Sequence, residues 1–216
     1  MFESSSPYSD FVDATFLSIV GISLLVLLGI LIAMVFFVVR YSRKRNPHPT
    51  NIEGNVPLEI AWTLIPLALF MGMFYLGWEG YRQMSNVPEE AIPIKVTARM
   101  WAWTFEYPNG VTTDTLFVPV QAPMKLTLQS LDVNHSLYIP AFRIKKDVIP
   151  NRENVLWFKT SAVASYDIAC AEYCGLRHAY MYTKVVSQDS AQFEQWYKAI
   201  SLGQSKPYQA LLDSTK

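Results

Sequence analysis

The stretch ATFLSIVGISLLVLLGILIAMVFFVV, residues 14–39, contains 26 consecutive residues without an ionisable side chain. A hydrocarbon core about 30 Å thick requires about 20 such residues in a helix. The run is too long for the apolar part of a signal peptide, and acidic residues rather than Lys or Arg precede it. It therefore predicts a transmembrane helix, which we place over residues 14–40.

A second uncharged run covers residues 60–78 and contains Pro66, which a membrane helix tolerates when neighbouring groups satisfy the freed carbonyl. A buried core helix is the alternative, but we favour a second membrane helix over residues 58–80. Glu59 lies just before this run. A carboxylate there stabilises the positive end of the helix dipole, and ionisable residues at such a depth also mark proton routes. From the residues alone, the dipole role is the favoured interpretation.

The segment between the two runs is basic, with Arg40, Arg43, Lys44 and Arg45, whereas no Lys or Arg precedes the first run. The positive-inside rule therefore predicts that this loop is cytoplasmic. Both termini would then lie on the outer (periplasmic) side of a bacterial inner membrane or its equivalent. Anionic lipid head groups would bind the same basic cluster from the same side.

From about residue 85 onward, short apolar stretches alternate with prolines. Four of them show period-2 alternation: IPIKVTARMWAWTFEY (92–107), PMKLTLQSL (123–131), NVLWFKT (154–160) and MYTKVVS (181–187). This pattern predicts an all-β sandwich or barrel. Asn109-Gly110 predicts a turn, residues 191–200 a short amphipathic helix, and residues 203–216 a loosely held tail.

Composition restricts the function classes. The 216 residues are 51% hydrophobic and 17% charged, with a formal net charge of +0. A neutral balance does not favour nucleic-acid binding, which requires a basic face. The 2 Cys are too few for a disulfide-stapled fold. With only 3 His, any site built from Cys and His has few residues to draw on.

The segment CAEYCGLRHAYM, residues 170–181, carries the sharpest chemical signal. Its ligand-type residues follow the spacing Cys-x3-Cys-x3-His-x2-Met: Cys170, Cys174, His178 and Met181. His135 lies 35 residues before Cys170. Thiolate, imidazole and thioether form a soft ligand set that selects copper, zinc or iron–sulfur over calcium or magnesium. A blue-copper site uses one Cys, so the additional Cys favours a pair of copper ions bridged by two thiolates.

Simpler interpretations exist for each of these residues. Two Cys in an oxidising compartment form a disulfide in many proteins. A structural zinc site is a second alternative, but its histidines are usually three to five residues apart, whereas His135 and His178 are 43 apart. A single Met is usually core packing. The joint pattern in an exported β domain favours the copper pair over all three.

These features together resemble subunit II of haem–copper oxidases, cytochrome c oxidase in particular, over nearly the whole chain. The resemblance implies a membrane-anchored all-β protein: a two-helix transmembrane hairpin in residues 1–84, then a cupredoxin-like Greek-key β-barrel in residues 85–216. It implies that His135, Cys170, Cys174, His178 and Met181 bind the dinuclear copper A centre. Glu172 would give its backbone carbonyl to copper and its side chain to a magnesium ion shared with the catalytic subunit.

The resemblance assigns roles to other residues as well. In MWAWTFEYPNG, Trp101 falls on the tryptophan that receives electrons from the donor. Period-2 alternation would place Trp101, Trp103, Phe105 and Tyr107 on one strand face, so core packing is the alternative, and we favour it for Trp103. Glu59, in EIAWT, matches the entrance of a proton channel.

The segment RIKKDVIPNR, residues 143–152, resembles a stretch of the family that packs on the catalytic subunit. Lys145, Asp147 and Arg152 carry this likeness. Phe142 and Arg143 replace the small residues usual before the lysine, and Asn151 replaces a glycine; Asn also tolerates the left-handed conformation. Ala102 replaces the tyrosine common beside Trp101.

The function implied is electron input to a terminal oxidase. The partners implied are the haem-bearing catalytic subunit I, subunit III, membrane lipid, and cytochrome c or a tethered haem c domain as donor. A metal-free quinol oxidase subunit II, a copper-bearing subunit of a nitric oxide reductase and a plain anchored copper carrier are the alternatives. From residue 85 onward there are 12 acidic and 13 basic residues, so we expect an apolar docking centre around Trp101 with a weak ring of charge.

Overall fold

The computed structural model describes residues 5–48, 50–51 and 53–203. These residues divide into two compact units: residues 12–81, and a β unit made of residues 82–203 together with residues 5–11. The first unit contains most of two long helices, α1 (Pro7–Arg40) and α2 (Val56–Ser85). Both helices are long and apolar enough to cross a membrane. Most of their large apolar side chains are exposed, as expected of helices that face lipid or partner subunits.

The helices extend beyond the predicted spans. α1 begins at Pro7 rather than at residue 14, and α2 ends at Ser85 rather than at residue 80. Asp10 in the first turn of α1 and Arg82 in the last turn of α2 each suit the helix dipole. Asn55 caps the N-terminus of α2, since its side-chain oxygen accepts from the Leu58 amide at 3.1 Å. α2 continues through Pro66.

Ten strands form two five-stranded sheets in the β unit. The strands are β1 (Ile92–Arg99), β2 (Ala102–Glu106), β3 (Thr112–Thr113), β4 (Leu116–Pro119), β5 (Pro123–Ser130), β6 (His135–Ile139), β7 (Ile144–Val148), β8 (Asn154–Lys159), β9 (Ser165–Cys170) and β10 (Tyr182–Gln188). The sheet orders are β3-β2-β1-β5-β8 and β4-β10-β9-β6-β7. β1 runs parallel to β5 and β4 parallel to β10, and the other pairs are antiparallel.

Alternation along the strands builds the core. In β5, Met124, Leu126 and Leu128 are fully buried, and the residues between them are only partly buried. The largest buried side chains come from both sheets, including Phe105, Phe117 and Phe158. The predicted architecture of two apolar helices followed by a β-sandwich is therefore confirmed.

One predicted stretch divides into two strands. IPIKVTARMWAWTFEY forms β1 and β2, which pair in register from Lys95↔Glu106 to Arg99↔Ala102. Met100 and Trp101 form the two-residue turn between them. Trp101 therefore lies outside the strand face on which alternation would place it, whereas Trp103, Phe105 and Tyr107 share that face and are buried.

The predicted turn and C-terminal helix are both present. Tyr107 N–H donates to the Val111 carbonyl at 2.9 Å, and Gly110 has a φ of +79°. The last helix, α3 (Ser190–Ser201), is capped by the Asp189 side chain, which accepts from the Ala191 amide at 2.9 Å. Its buried side chains are Phe193, Trp196 and Ile200. The predicted tail lies outside the described residues from 204 onward.

The segment before the membrane-spanning part of α1 packs on the β unit. The Ser161 amide donates to the Ser5 carbonyl at 3.1 Å, and the Ser6 hydroxyl donates to the Phe142 carbonyl at 3.4 Å. Tyr8 is buried with its ring edge-on to Trp157, centroid to centroid 5.1 Å. Residues 5–9 are thus a structural part of the β unit.

Candidate metal centre

Three strand ends converge on the predicted ligand loop. Cys170 ends β9 and Met181 directly precedes β10, and these two strands are antiparallel neighbours. The Cys170 amide donates to the Met181 carbonyl at 3.1 Å, which closes the loop at its base. His135 begins β6, which pairs with β9 through Leu137↔Cys170. Sheet pairing therefore brings His135 to the loop in spite of the 35 residues between them.

The predicted ligand atoms form one cluster. The Sγ atoms of Cys170 and Cys174 lie 3.7 Å apart, and the ligand atoms of His135, Cys170 and Cys174 all lie within 4.8 Å of one another. The other donors flank the sulfurs: His135 Nδ1 is 3.9 Å from Cys170 Sγ, His178 Nδ1 is 3.5 Å from Cys174 Sγ, Met181 Sδ is 3.9 Å from Cys174 Sγ, and the Glu172 carbonyl oxygen is 3.3 Å from Cys170 Sγ.

This geometry separates the alternatives. Both cysteines are free, and their 3.7 Å separation is far longer than the roughly 2.05 Å of a disulfide. A structural zinc ion takes four ligands, whereas six donors converge here, five of them sulfur or imidazole nitrogen and one a backbone carbonyl oxygen. Met181 is buried but points its sulfur at Cys174. The donor set fits two copper ions that share both sulfurs, with one imidazole and one weaker donor each.

Burial makes the cluster a poor site for a Cys174 thiolate without a metal. His135, Cys174 and Met181 are 0%, 3% and 1% exposed. Burial, followed by the neighbouring Cys170, raises the pKa of the Cys174 thiol to about 12. A metal would therefore have to displace protons on binding. A protein interior that disfavours an isolated thiolate favours one that is neutralised by a cation.

Asp132 is a hydrogen-bond partner of His135 and was not among the candidate residues found from the sequence. Its Oδ1 lies 2.8 Å from His135 Nε2, and its Oδ2 accepts from the Met100 amide at 2.6 Å. Burial tends to raise the pKa of Asp132, but the hydrogen bonds from His135, Met100 and Val133 outweigh it and lower the pKa. A carboxylate behind a metal-ligand histidine sets its tautomer and ring orientation. The spacing Asp-x2-His could have suggested the pair.

Trp101 contacts the ligand loop directly. Its indole N–H donates to the Cys174 carbonyl at 3.1 Å. Gly175 adopts a φ of +113°, and a Cβ placed there would lie 3.3 Å from the indole. Glycine is therefore needed at 175 both for the backbone conformation and for the close approach of Trp101. Sequence reasoning gave Gly175 no role.

Trp103 combines burial with a contact to the cluster. It is 4% exposed, in agreement with its interpretation as core packing. Its indole nitrogen also lies 3.4 Å from the Met181 carbonyl, and its ring lies edge-on to His135 with centroids 6.2 Å apart. Trp103 therefore packs against the cluster on the side of the core.

A charged cluster lies beside the ligand loop. Lys145 Nζ is 3.1 Å from Asp147 Oδ1 and 3.8 Å from Glu172 Oε2. The contact with Lys145, followed by that with Ser136, lowers the pKa of Asp147. Glu172 thus turns its carbonyl to Cys170 and its side chain to Lys145. We call Lys145, Asp147 and Glu172 the charged flank.

Phe142 and the remaining residues singled out in the 143–152 stretch have structural roles. Phe142 is fully buried, and its ring packs on Phe158 and Tyr166 at centroid distances of 5.1 and 4.8 Å. Arg143 and Asn151 have φ values of +58° and +59°, so the left-handed conformation predicted for Asn151 is present. The Arg152 amide donates to the Ile149 carbonyl at 3.3 Å and closes that turn.

Glu59 lies in the first turn of α2. Its carbonyl accepts from the Thr63 hydroxyl at 2.8 Å, and the residue lines a groove with Ile60, Thr63 and Leu64. This position suits a carboxylate that stabilises the helix N-terminus.

Two family models match the chain. One is described as the transmembrane domain of cytochrome c oxidase subunit II and matches residues 1–75; the other is described as the periplasmic domain of that subunit and matches residues 110–188. The chain is also similar to solved structures. It shares 28% identity and a TM-score of 0.51 with the crystal structure of the periplasmic domain of cytochrome oxidase subunit II from Bradyrhizobium japonicum, covering 56% of this chain and 100% of that one.

Curated relatives carry the same description. Cytochrome c oxidase subunit 2 of Cereibacter sphaeroides is 30% identical over 199 residues, which cover 73% of this chain and 66% of the relative. The corresponding protein of Alkalihalophilus pseudofirmus is 28% identical over 205 residues, which cover 89% of this chain and 60% of the relative. The chain therefore spans about two thirds or less of the length of these two relatives.

Proposed function

This chain belongs to the cytochrome c oxidase subunit II family, and on that premise we propose that it is the electron-input subunit of a membrane-anchored terminal haem–copper oxidase. It accepts single electrons from a cytochrome c-type donor and passes them to haem in the catalytic subunit, where oxygen is reduced. The observation that carries the proposal is the pair of buried sulfurs 3.7 Å apart, flanked by two imidazole nitrogens, a thioether and a carbonyl.

We assign the dinuclear copper A centre to these donors. Cys170 and Cys174 would bridge the two ions, His135 and His178 would each bind one, and Met181 and the Glu172 carbonyl would be the weaker ligands. Bound copper would supply a one-electron carrier whose charge is shared over two ions. The protein contributes a cage that is closed at its base by β9 and β10, with His135, Cys170, Cys174 and Met181 buried.

Trp101 is the proposed input residue. Its ring is half-buried and its N–H contacts the carbonyl of a ligand cysteine, so it joins the protein surface to the cluster through one hydrogen bond. The ligand loop also presents Tyr173, Leu176 and Tyr180, which are 78%, 88% and 78% exposed. Exposed apolar side chains grouped on one loop are typical of an interaction surface. We propose that partner proteins, subunit I above all, cover this surface.

The charged flank is the proposed magnesium side. Glu172 would bind magnesium with its side chain, at the interface with the catalytic subunit, while its carbonyl faces the copper ligands. Lys145 and Asp147 would orient it, and Arg152 would complete the contact with subunit I. Glu59 is proposed as the entrance of a proton channel; its support is its groove at the start of α2 and the family likeness.

The proposed topology places both termini and residues 85–216 on the periplasmic side of a bacterial inner membrane, with residues 1–84 as the two-helix anchor and subunit III as a further partner. Contacts of Ser5, Ser6 and Tyr8 with the β unit support it, because they require the start of α1 and the β unit to lie on one side. The basic residues after α1 support a cytoplasmic loop.

The intact donor set favours this function over a metal-free quinol oxidase subunit. Copper content of the purified full-length protein in its complex provides the test. We expect two copper ions per chain and a mixed-valence spectrum in which one unpaired electron is shared by both ions. One ion per chain, or none, would overturn the proposal.

Matched variants locate the ions. Cys170→Ser should abolish the centre, because a hydroxyl is a poor bridging ligand for copper. Met181→Leu should keep two ions but change the spectrum, whereas Met124→Leu, at a fully buried methionine of β5, should leave the spectrum unchanged. Identical copper spectra for the Met181→Leu and Met124→Leu variants would show that Met181 is not a copper ligand.

A further inference from the structure

We propose that Asp132 is a positioning residue that joins the electron-input turn to the copper ligand His135, so that one carboxylate fixes both ends of the input path. This inference rests on the proposed function, since it assumes that His135 binds copper and that Trp101 receives the electron. It assigns Asp132 an internal role rather than that of a surface charge that attracts a donor.

The carboxylate of Asp132 is held by donors on both oxygens. Oδ1 accepts from the Val133 amide at 2.7 Å and faces His135 Nε2 at 2.8 Å. Oδ2 accepts from the Met100 amide at 2.6 Å. Ser130 adds a longer contact to Oδ1, at 3.4 Å. The side chain is 23% exposed, so most of the carboxylate is turned inward to these groups.

The His135 contact defines what the imidazole can do. An ionised carboxylate only accepts hydrogen bonds, so the proton of a neutral His135 ring lies on Nε2. Nδ1, which is 3.9 Å from Cys170 Sγ, is then free to bind a metal. A carboxylate partner also increases the basicity of a ligand imidazole. Because His135 is 0% exposed, water cannot take over this contact without a rearrangement.

The Met100 contact defines where the input residue lies. Met100 is the first residue of the two-residue turn between β1 and β2, and Trp101 is the second. A turn held at the Met100 amide presents the Trp101 indole to the Cys174 carbonyl. Asp132 lies in the connection between β5 and β6. It therefore links the input turn, from one sheet, to a ligand on the other sheet.

Asp132→Asn tests the proposal because it has the same shape and only one acceptor oxygen. Its NH2 group would have to face the amide of Met100, or the N–H groups of Val133 and His135, all of which are donors. One end of the link must break. In the assembled oxidase we expect electron input to fall by about 10- to 100-fold, as is typical when the outer partner of a metal ligand is lost.

The reduction potential of the copper centre gives a readout independent of turnover. Loss of the anionic partner makes His135 a weaker donor and destabilises the oxidised state, so the potential should rise and the copper spectrum should change. Asp114→Asn is the matched control, because Asp114 is an exposed acid that lines the same surface groove as Trp101. Its potential and spectrum should equal those of the wild type.

Other outcomes overturn the inference. An Asp132→Asn oxidase with wild-type potential and spectrum, but a higher KM for the donor, would make Asp132 a docking charge. Should that variant fail to assemble, Asp132→Glu decides: it keeps the charge but moves the acceptors by one methylene, so a docking charge predicts a wild-type spectrum and a positioning residue predicts a changed one. A wild-type protein without copper would instead refute the proposed function.

Discussion

The two flanks of the ligand cluster are held by different forces. On the input flank, formed by Met100, Trp101 and Gly175, hydrogen bonds between side chains and backbone, together with close packing, hold the residues in place. On the charged flank, ion pairs join side chains that are each about 43–45% exposed. Half-exposed ion pairs are screened by salt and contribute little to stability. Under the proposed function, this difference would give a rigid route for electrons on one side and an adjustable, ion-binding surface on the other.

Removal of the indole should have the largest effect. Trp101→Ala deletes the ring that joins the surface to the Cys174 carbonyl, so electron input measured by rapid mixing with reduced donor should fall to a small fraction of the wild-type rate, with an unchanged copper spectrum. Trp101→Phe keeps an aromatic ring but loses the hydrogen bond. Its rate of electron input should therefore lie between those of the wild type and of Trp101→Ala. Wild-type input in the alanine variant would show that electrons arrive by another route.

Gly175→Ala tests whether close packing holds the input flank. The strained backbone at φ +113° should lower the free energy of unfolding by about 1–3 kcal/mol, and the added Cβ should displace Trp101 and slow electron input. Gly110→Ala is the control, because Gly110 also has a positive φ of +79° but no atom within 4 Å of the new Cβ. It should lower stability without slowing input. Equal input rates in both variants would contradict a tightly packed flank.

The dependence of donor association on ionic strength should be a smaller effect than those of the Trp101 and Gly175 variants. Residues 85–216 carry nearly balanced charge, with 12 acidic and 13 basic residues, so donor association should decline only gently as salt is added. Strong electrostatic steering would give a steep decline. A steep decline that Asp114→Asn abolishes would place a functional acidic patch beside Trp101 and remove the contrast between the flanks.

The charged flank should make a small contribution to the free energy of unfolding, and this contribution should be lost at low pH. Because Lys145 and then Ser136 lower the pKa of Asp147 below its ordinary value of 3.8, the stabilisation is complete above that value and is lost as pH falls through the lowered folded-state pKa. Asp147→Asn should therefore cost at most about 1 kcal/mol near neutral pH, as for a surface ion pair, and nothing in strong acid. Urea unfolding at several pH values measures this difference, with Glu106→Gln as the control for loss of a half-exposed acid on the other sheet.

The sequence was most informative where function is concentrated in one short segment. Residues 170–181 hold five of the six proposed copper donors, and alternation in strands such as β5 predicted the sandwich around them. His135 was identified through its residue type and family likeness, but its approach to Cys170 depends on the pairing of β6 with β9, which local patterns do not encode.

Residues that act through tertiary contacts were missed. Asp132 was missed because its bonds to His135 and Met100 depend on the approach of two chain connections, β1–β2 within one sheet and β5–β6 between the sheets. The need for glycine at 175 arises from the ring of Trp101, 74 positions away. The start of α1 at Pro7 was missed for a similar reason, since the polar residues that precede the apolar run find their partners on the β unit.

The packing of residues 5–9 on the β unit has a consequence for biogenesis. Ser5 and Ser6 are synthesised well before their partners, Ser161 and Phe142, which are 156 and 136 positions later in the chain. Contacts of such sequence separation form late in folding, so in the proposed topology residues 5–9 would dock only after both helices have inserted and the β unit has crossed the membrane. A soluble fragment that begins after α2 would leave Trp157 without its edge-on Tyr8 ring. If the β unit is exported as proposed, docking of residues 5–9 would mark the completion of export, and a protease that cleaves this segment when it is exposed would distinguish stalled chains from mature ones.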